Sequence, residues 1–157
     1  MSLIFNDELF GDYMLDAIPL WKEHHQEVAL SSVKDKREFS PNIKKYFELE
    51  AANNLITFTV RDDGKLVGYA VFIINTPMHY QKTLYAVNDA LYLAPSLRKG
   101  TSGIKFMKWC ENELKTRSNG FIKIVQWRSK AEHNFGLILE RIGYSKDDIV
   151  FTKWIGD

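Results

Sequence analysis

The stretch best suited to chemistry runs from Leu84 to Leu114. An apolar run, LYAVNDALYL, is followed by Ala94-Pro95-Ser96-Leu97-Arg98-Lys99-Gly100-Thr101-Ser102-Gly103. An amphipathic pattern then places Ile104, Met107, Cys110 and Leu114 on one helical face. A strand, a basic glycine-containing loop and a helix N-terminus in succession gather free backbone N–H groups at the positive end of a helix dipole. That arrangement suits a phosphate or pyrophosphate, and Arg98 and Lys99 add formal charge. The spacing is neither the Gly-Lys-Ser/Thr phosphate loop nor the three-glycine dinucleotide fingerprint. An ordinary strand-to-helix turn with solvated cations has the same composition. Asp89 is the second focus. It sits inside an otherwise apolar run, where an unpartnered carboxylate is costly, so it either faces a cleft or is satisfied by backbone amides of a loop.

Other chemistry-bearing residues are sparse. Glu23 could meet a cationic substrate, and His24, on the apolar side of the first helical pattern, is either a packed core histidine or a cleft residue. His79 and Tyr80 precede the strand bearing Asp89; they either line its cleft or close the loop. The four histidines show no zinc-type spacing with acids, and the lone Cys110 falls on an apolar helical face, so no metal is expected. The basic, aromatic patch Gln126-Trp127-Arg128-Ser129-Lys130 carries no nucleic-acid recognition motif.

The elements that must position these residues follow from periodicity. Phe10, Met14, Ala17, Trp21, His24 and Val28 recur at steps of four and three, one face of a helix in which Pro19 predicts a kink or two pieces. Ser31 to Glu38 reads as a loop. Ser40-Pro41 supplies a cap and a first-turn proline for a helix to about Ala52. Leu55–Arg61, the turn Asp62-Asp63-Gly64 and Leu66–Ile74 form a hairpin, and Leu84–Leu93 is a third long strand that Pro95 stops. A helix from Ser102 to Arg117 ends at Asn119-Gly120. Phe121–Trp127 reads as a buried strand, Glu132–Ile142 as a helix ended by Gly143, and Tyr144–Trp154 as one or two closing strands. This order is α+β with a mixed sheet, since strand–helix–strand units require a parallel pair.

With 157 residues, 45% of them hydrophobic, the chain suits one domain, and a chain of that size buries roughly 70% of its unfolded surface without disulfide or metal. Lys+Arg 21 against Asp+Glu 20 leaves a formal charge of +1, which gives no global field toward nucleic acid or an anionic membrane. No membrane-spanning run or basic-apolar leader is evident, so the cytoplasm is the expected location. The sequence leaves a homodimer open.

These motifs together resemble the GCN5-related N-acetyltransferase (GNAT) superfamily, in particular its small phage-type members. The resemblance rests on Trp21-Lys22-Glu23-His24, Gly64-Lys65-Leu66-Val67-Gly68-Tyr69, His79-Tyr80, Asp89-Ala90-Leu91-Tyr92-Leu93, Arg98 to Gly103, and Leu139-Glu140-Arg141-Ile142-Gly143-Tyr144, in that order. It implies a single acyl-CoA N-acyltransferase-like domain over 1–157. The implied sheet is mixed, mostly antiparallel and splayed, with about six or seven strands flanked by about four helices. It implies acetyl-coenzyme A as co-substrate, with the amides of Arg98, Lys99, Gly100, Thr101, Ser102 and Gly103 on its pyrophosphate and the main chain of Leu91, Tyr92 and Leu93 pairing with pantetheine. Thr101 stands where the family usually has its first glycine, and Gly100 precedes it. The implied reaction is direct acetyl transfer to a primary amine, of a small molecule or a protein, in a ternary complex, with Asp89 in the position of the family's acidic base. Glu23, His24, His79 and Tyr80 would border the acceptor. The family's usual acid, a tyrosine, falls at Leu139, so any acid the reaction needs would have to be Tyr144, Tyr92, Tyr80 or solvent. A non-catalytic acyl-coenzyme A-binding or protein-interaction module with the same fold is the alternative.

Overall fold

A computed structural model describes residues 2–28, 36–130 and 134–157. The elements in chain order are β1 (Leu3–Glu8), α1 (Phe10–Val28), α2 (Ile43–Ala51), β2 (Leu55–Asp62), β3 (Lys65–Asn75), β4 (Leu84–Leu93), a 3-10 turn (Pro95–Leu97), α3 (Ser102–Arg117), β5 (Ile122–Gln126) and α4 (Phe135–Arg141). The strands lie in the order β1-β2-β3-β4-β5; every neighbouring pair is antiparallel except β4 and β5, which are parallel. The mixed α+β class is as expected. The strand count is not: the described residues form one sheet of five strands rather than six or seven, because 144–157 carry no strand. The N-terminal strand β1 was unanticipated. Its LIFNDE sequence ends in two acids that look like a solvated start, yet both have partners: Glu8 bonds Arg61 on β2, and Asp7 bonds Arg117 of α3.

The chain divides into two compact units, Met1–Ala17 with Asn42–Arg128, and Ile18–Pro41 with Ser129–Asp157. The first holds the sheet. Its β2–β3 hairpin turns on Asp63 and Gly64, both at positive φ (50° and 80°), the two-residue turn whose twist matches the strands. Leu55–Val60 of β2 are buried throughout because helices cover both faces. On one face Ile56, Phe58, Val60, Ala70, Phe72, Ile74 and Ala86 pack with Phe106, Cys110 and Leu114 of α3. On the other, Tyr13 of α1 meets Tyr69 edge-on at 5.0 Å. Asn119 and Gly120, at φ 51° and 76°, end α3 as expected. β5 is an edge strand, exposed at Lys123, Ile124 and Gln126, and not the buried strand its apolar composition suggested.

The second unit holds the rear of α1, α4, and the segments 36–41 and 142–157 without regular structure. α1 is one continuous helix through Pro19, not two pieces; the boundary between the units falls just before that proline. α2 begins after Asn42, whose Oδ1 accepts the Lys45 N–H at 3.1 Å, so Asn42 and not Ser40 is its cap. The helix expected from Glu132 begins at Phe135, with Asn134 as its N-cap and not within it; 131–133 lie outside the described residues, as do 31–35 of the expected loop. It closes as expected at Gly143, φ 103°, with the Tyr144 N–H on the Leu139 carbonyl at 3.0 Å.

Candidate active site

The site is built on an irregularity in β4. Val71 pairs with Ala90 and Phe72 with Asn88, so Asp89 is an extra residue outside the ladder. The insertion reverses the side-chain alternation. Before it, Leu84 and Ala86 face α3; after it, Leu91 and Leu93 do, while Tyr92 turns to the opposite face and stacks on Tyr69 at 5.4 Å. Asn88 stabilises the bulge from within: buried, its Nδ2 donates to the carbonyls of Val71 (3.3 Å) and Ala90 (2.9 Å). Asp89 is only partly buried, and its Oδ2 accepts the hydroxyl hydrogen of Tyr46, on α2, at 2.6 Å. Burial, reinforced by the Asp89 carboxylate, pushes the Tyr46 phenol far above its ordinary range, so it remains a protonated donor.

The bulge coincides with the parting of two strands. β5 pairs with β4 from Leu84 to Val87; beyond that point β3 still lines one edge of β4, but β5 no longer covers the other. The register there is Leu91 opposite Ala70, Tyr92 opposite Tyr69 and Leu93 opposite Gly68. Two glycines allow the end of β4 to be approached this closely. A Cβ on Gly68 would lie 2.6 Å from Leu93 Cδ2 and 3.0 Å from the Tyr92 carbonyl oxygen, and one on Gly103 would lie 3.2 Å from Leu93 Cδ1.

The loop after β4 leads into α3 with its amides largely uncommitted to helix. The Leu97 and Arg98 N–H groups close the 3-10 turn on Ala94 and Pro95, and the Lys105 N–H bonds the Thr101 carbonyl; the N–H groups of Ser102, Gly103 and Ile104 precede that first helical bond. Thr101 is the N-cap but its side chain makes no capping bond. Gly100, at φ 84°, turns the chain into the helix in a conformation that disfavours any side chain. From Ala90 to Cys110 the sequence carries Arg98, Lys99, Lys105 and Lys108 and no acid. The Arg98 Nε donates to the Leu93 carbonyl at 2.7 Å, and its guanidinium lies 5.6 Å from the Tyr92 ring centroid, which ties it to the end of β4. The combination can hold an anion of diphosphate size beside an open strand edge, with a carboxylate five residues or fewer from each edge amide.

His79 and Tyr80 are exposed in the turn before β4, their rings 6.5 Å apart. Glu23 is exposed and His24 buried on the rear of α1; Tyr144 is half-buried beyond α4; all three belong to the second unit. Leu139, in the usual tyrosine position, is buried. Burial pushes the Cys110 thiol well up, in keeping with a packed, unreactive cysteine. Tyr46 is the residue that sequence reasoning missed. Its partner is 43 residues away, and nothing in α2 marks it. The bulge was more accessible, since the apolar alternation of LYAVNDALYL changes phase between Ala86 and Leu91.

The sequence pattern of the acetyltransferase (GNAT) family matches residues 15–138. No curated protein matches the chain in sequence. Among solved structures, the fold resembles a ribosomal-protein-alanine N-acetyltransferase from Brucella melitensis biovar Abortus 2308 (17% identity, TM-score 0.67, covering 99% of this chain and 100% of that one). It also resembles glucosamine-6-phosphate N-acetyltransferase from Arabidopsis thaliana (14%, 0.69, 99% and 100%). A third is AAC(6')-Iy in complex with the bisubstrate analog CoA-S-monomethyl-acetylneamine (10%, 0.65, 98% and 99%). The family match and these three structures do not separate the small phage-type members from the rest. No helix among the described residues is long and apolar enough to cross a membrane. The family pattern spans most of the chain and runs through the bulged strand, the basic loop and α3, and this protein is therefore a member of the GNAT acetyltransferase family.

Proposed function

We propose that the chain transfers the acetyl group of acetyl-coenzyme A to a primary amine by direct attack while both substrates are bound. The observation that carries this reading is the placement, on one strand, of the Asp89 carboxylate at a bulge and of the uncapped α3 N-terminus a few residues on, along the edge that β5 has left. The residues fit the co-substrate: Gly100 and the amides from Lys99 to Gly103 form an acid-free cradle for its diphosphate, with Arg98 and Lys99 adding charge. Leu91, Tyr92 and Leu93 offer main chain to its pantetheine arm. Bound acetyl-coenzyme A supplies an acyl carbon activated as a thioester.

Asp89 accepts the proton that the amine must lose, directly or through one water. The amine nitrogen bonds to the acetyl carbon, the carbon–sulfur bond breaks with its electron pair going to sulfur, and solvent returns a proton to the thiolate. In this reading the exposed His79 and Tyr80 face the acceptor. The test pairs calorimetry with acetyl-coenzyme A and thiol release over three amines matched to the structural neighbours: glucosamine 6-phosphate, neamine and a peptide beginning with alanine. Amine-dependent thiol release is the expected result. Binding without release on any of the three makes the chain a non-catalytic acyl-coenzyme A module, and no binding removes both readings.

A further inference from the structure

The contact between Tyr46 and Asp89 ends a chain of contacts that fixes one side chain from three elements. The Phe10 N–H, in the first turn of α1, donates to Glu50 Oε2 of α2 at 2.8 Å and joins the start of one helix to the end of the other. The Phe10 ring then lies over the Tyr46 ring at 4.7 Å and 15°, nearly parallel. With the ring so held, the phenol oxygen reaches Asp89 Oδ2 at 2.6 Å, the length of a charge-assisted bond. The acid it meets is the residue of β4 skipped between Asn88 and Ala90 in the ladder with β3, so the strand alone sets its side chain less firmly than that of a paired residue.

We infer that Tyr46 is the positioning residue of the proton acceptor: its hydroxyl holds Asp89 Oδ2 and leaves Oδ1 to take the amine proton. The inference rests on the reading of Asp89 as the base. A phenol that stays protonated is only a donor in this contact, so Oδ2 is committed and the proton from nitrogen passes to Oδ1 as the carbon–nitrogen bond forms and the carbon–sulfur bond breaks. Tyr46 itself touches no reacting atom. Its effect lies in which carboxylate geometry is populated, a contribution of orientation.

Tyr46→Phe keeps the ring and its stack on Phe10 and removes one oxygen. With the fastest of the three amines above, its kcat falls by about 10- to 100-fold, the equivalent of one charge-assisted hydrogen bond. Its acetyl-coenzyme A affinity stays within about twofold, as expected when binding is untouched. The decisive readout is the double variant: Tyr46→Phe with Asp89→Asn is no slower than Asp89→Asn alone, because the hydroxyl acts only through the carboxylate. Losses that multiply overturn the inference, since Tyr46 then acts on something else. So does an unchanged kcat in Tyr46→Phe when Asp89→Asn is impaired, which leaves the base standing and the tyrosine idle. Loss of acetyl-coenzyme A binding in Tyr46→Phe assigns the residue to the framework and overturns it as well. Full turnover in Asp89→Asn, or no thiol release from any of the three amines, defeats the underlying reading and the inference with it.

Discussion

Adjacent residues at the β4 bulge have opposite tasks, and substitutions separate them. Asn88 is buried and its amide nitrogen serves two main-chain carbonyls that the bulge would leave short of donors. Asn88→Ala therefore lowers unfolding free energy by about 1–3 kcal/mol, the usual consequence of stranding a buried polar group, and chemical denaturation will read it. Asp89→Asn keeps the shape and the acceptor for Tyr46 but cannot take up a proton. Turnover should fall by about 10²-fold or more with acetyl-coenzyme A affinity nearly unchanged, and unaltered turnover removes Asp89 from the mechanism. In the sequence, Asp89 stood out because a carboxylate in an apolar run needs a reason. Tyr46 did not, because a tyrosine on a short amphipathic helix is ordinary until the fold brings it to its partner.

At the scale of elements, the end of β4 depends on what its neighbours lack. Gly68 opposes Leu93, and a methyl group there would meet Leu93 Cδ2 at 2.6 Å and the Tyr92 carbonyl oxygen at 3.0 Å. Gly68→Ala therefore displaces the strand edge: stability falls by about 1–3 kcal/mol from overpacking, and acetyl-coenzyme A affinity falls with it. The N-terminal strand is held by charge. Arg61 bonds Glu8 through Nε (2.9 Å) and Nη2 (2.8 Å) and reaches Asp16 of α1 at 2.8 Å, while Thr59 also donates to Glu8. Burial alone would raise the Glu8 carboxyl, but the bonds from Arg61 and Thr59 outweigh it and hold it below the ordinary carboxylate range. A group depressed on folding stabilises above its unfolded pKa and loses that contribution as pH falls through the folded value. Unfolding free energy should thus decline more steeply on acidification below the usual glutamate range in the parent than in Glu8→Gln; parallel curves would show that the cluster adds nothing.

These pairings also mark the limit of what could be read from residues in order. The hairpin, β4, α3 and their turns were legible because period and turn chemistry are local. β1 was not, because Asp7 and Glu8 look solvated until Arg117 and Arg61 are placed beside them. The closing strands failed for the converse reason: 144–157 has strand composition, with Ile149, Val150, Phe151 and Ile155 all exposed, but no strand pairs with it among the described residues.

At the scale of the whole molecule, a formal charge of +1 cannot steer an anionic co-substrate from a distance, so any attraction must come from the loop itself. Arg98 and Lys99 are exposed at one end of β4, and Lys82 is exposed in the turn at the other. The ten residues of β4 between them span roughly 30 Å, about three Debye lengths at 0.1 M salt. Replacing Lys82 by alanine should therefore leave acetyl-coenzyme A affinity and its salt dependence unchanged. Arg98→Ala should weaken binding by about 1–3 kcal/mol at low salt, the range for a charge-assisted bond, with the deficit shrinking as salt rises. Calorimetric titrations of both variants at low and high salt make the comparison. Equal losses from Lys82 and Arg98 would indicate a diffuse field and no cradle. An Arg98→Ala deficit independent of salt would mean that the arginine works by bonding the Leu93 carbonyl and shaping the strand end, without touching phosphate.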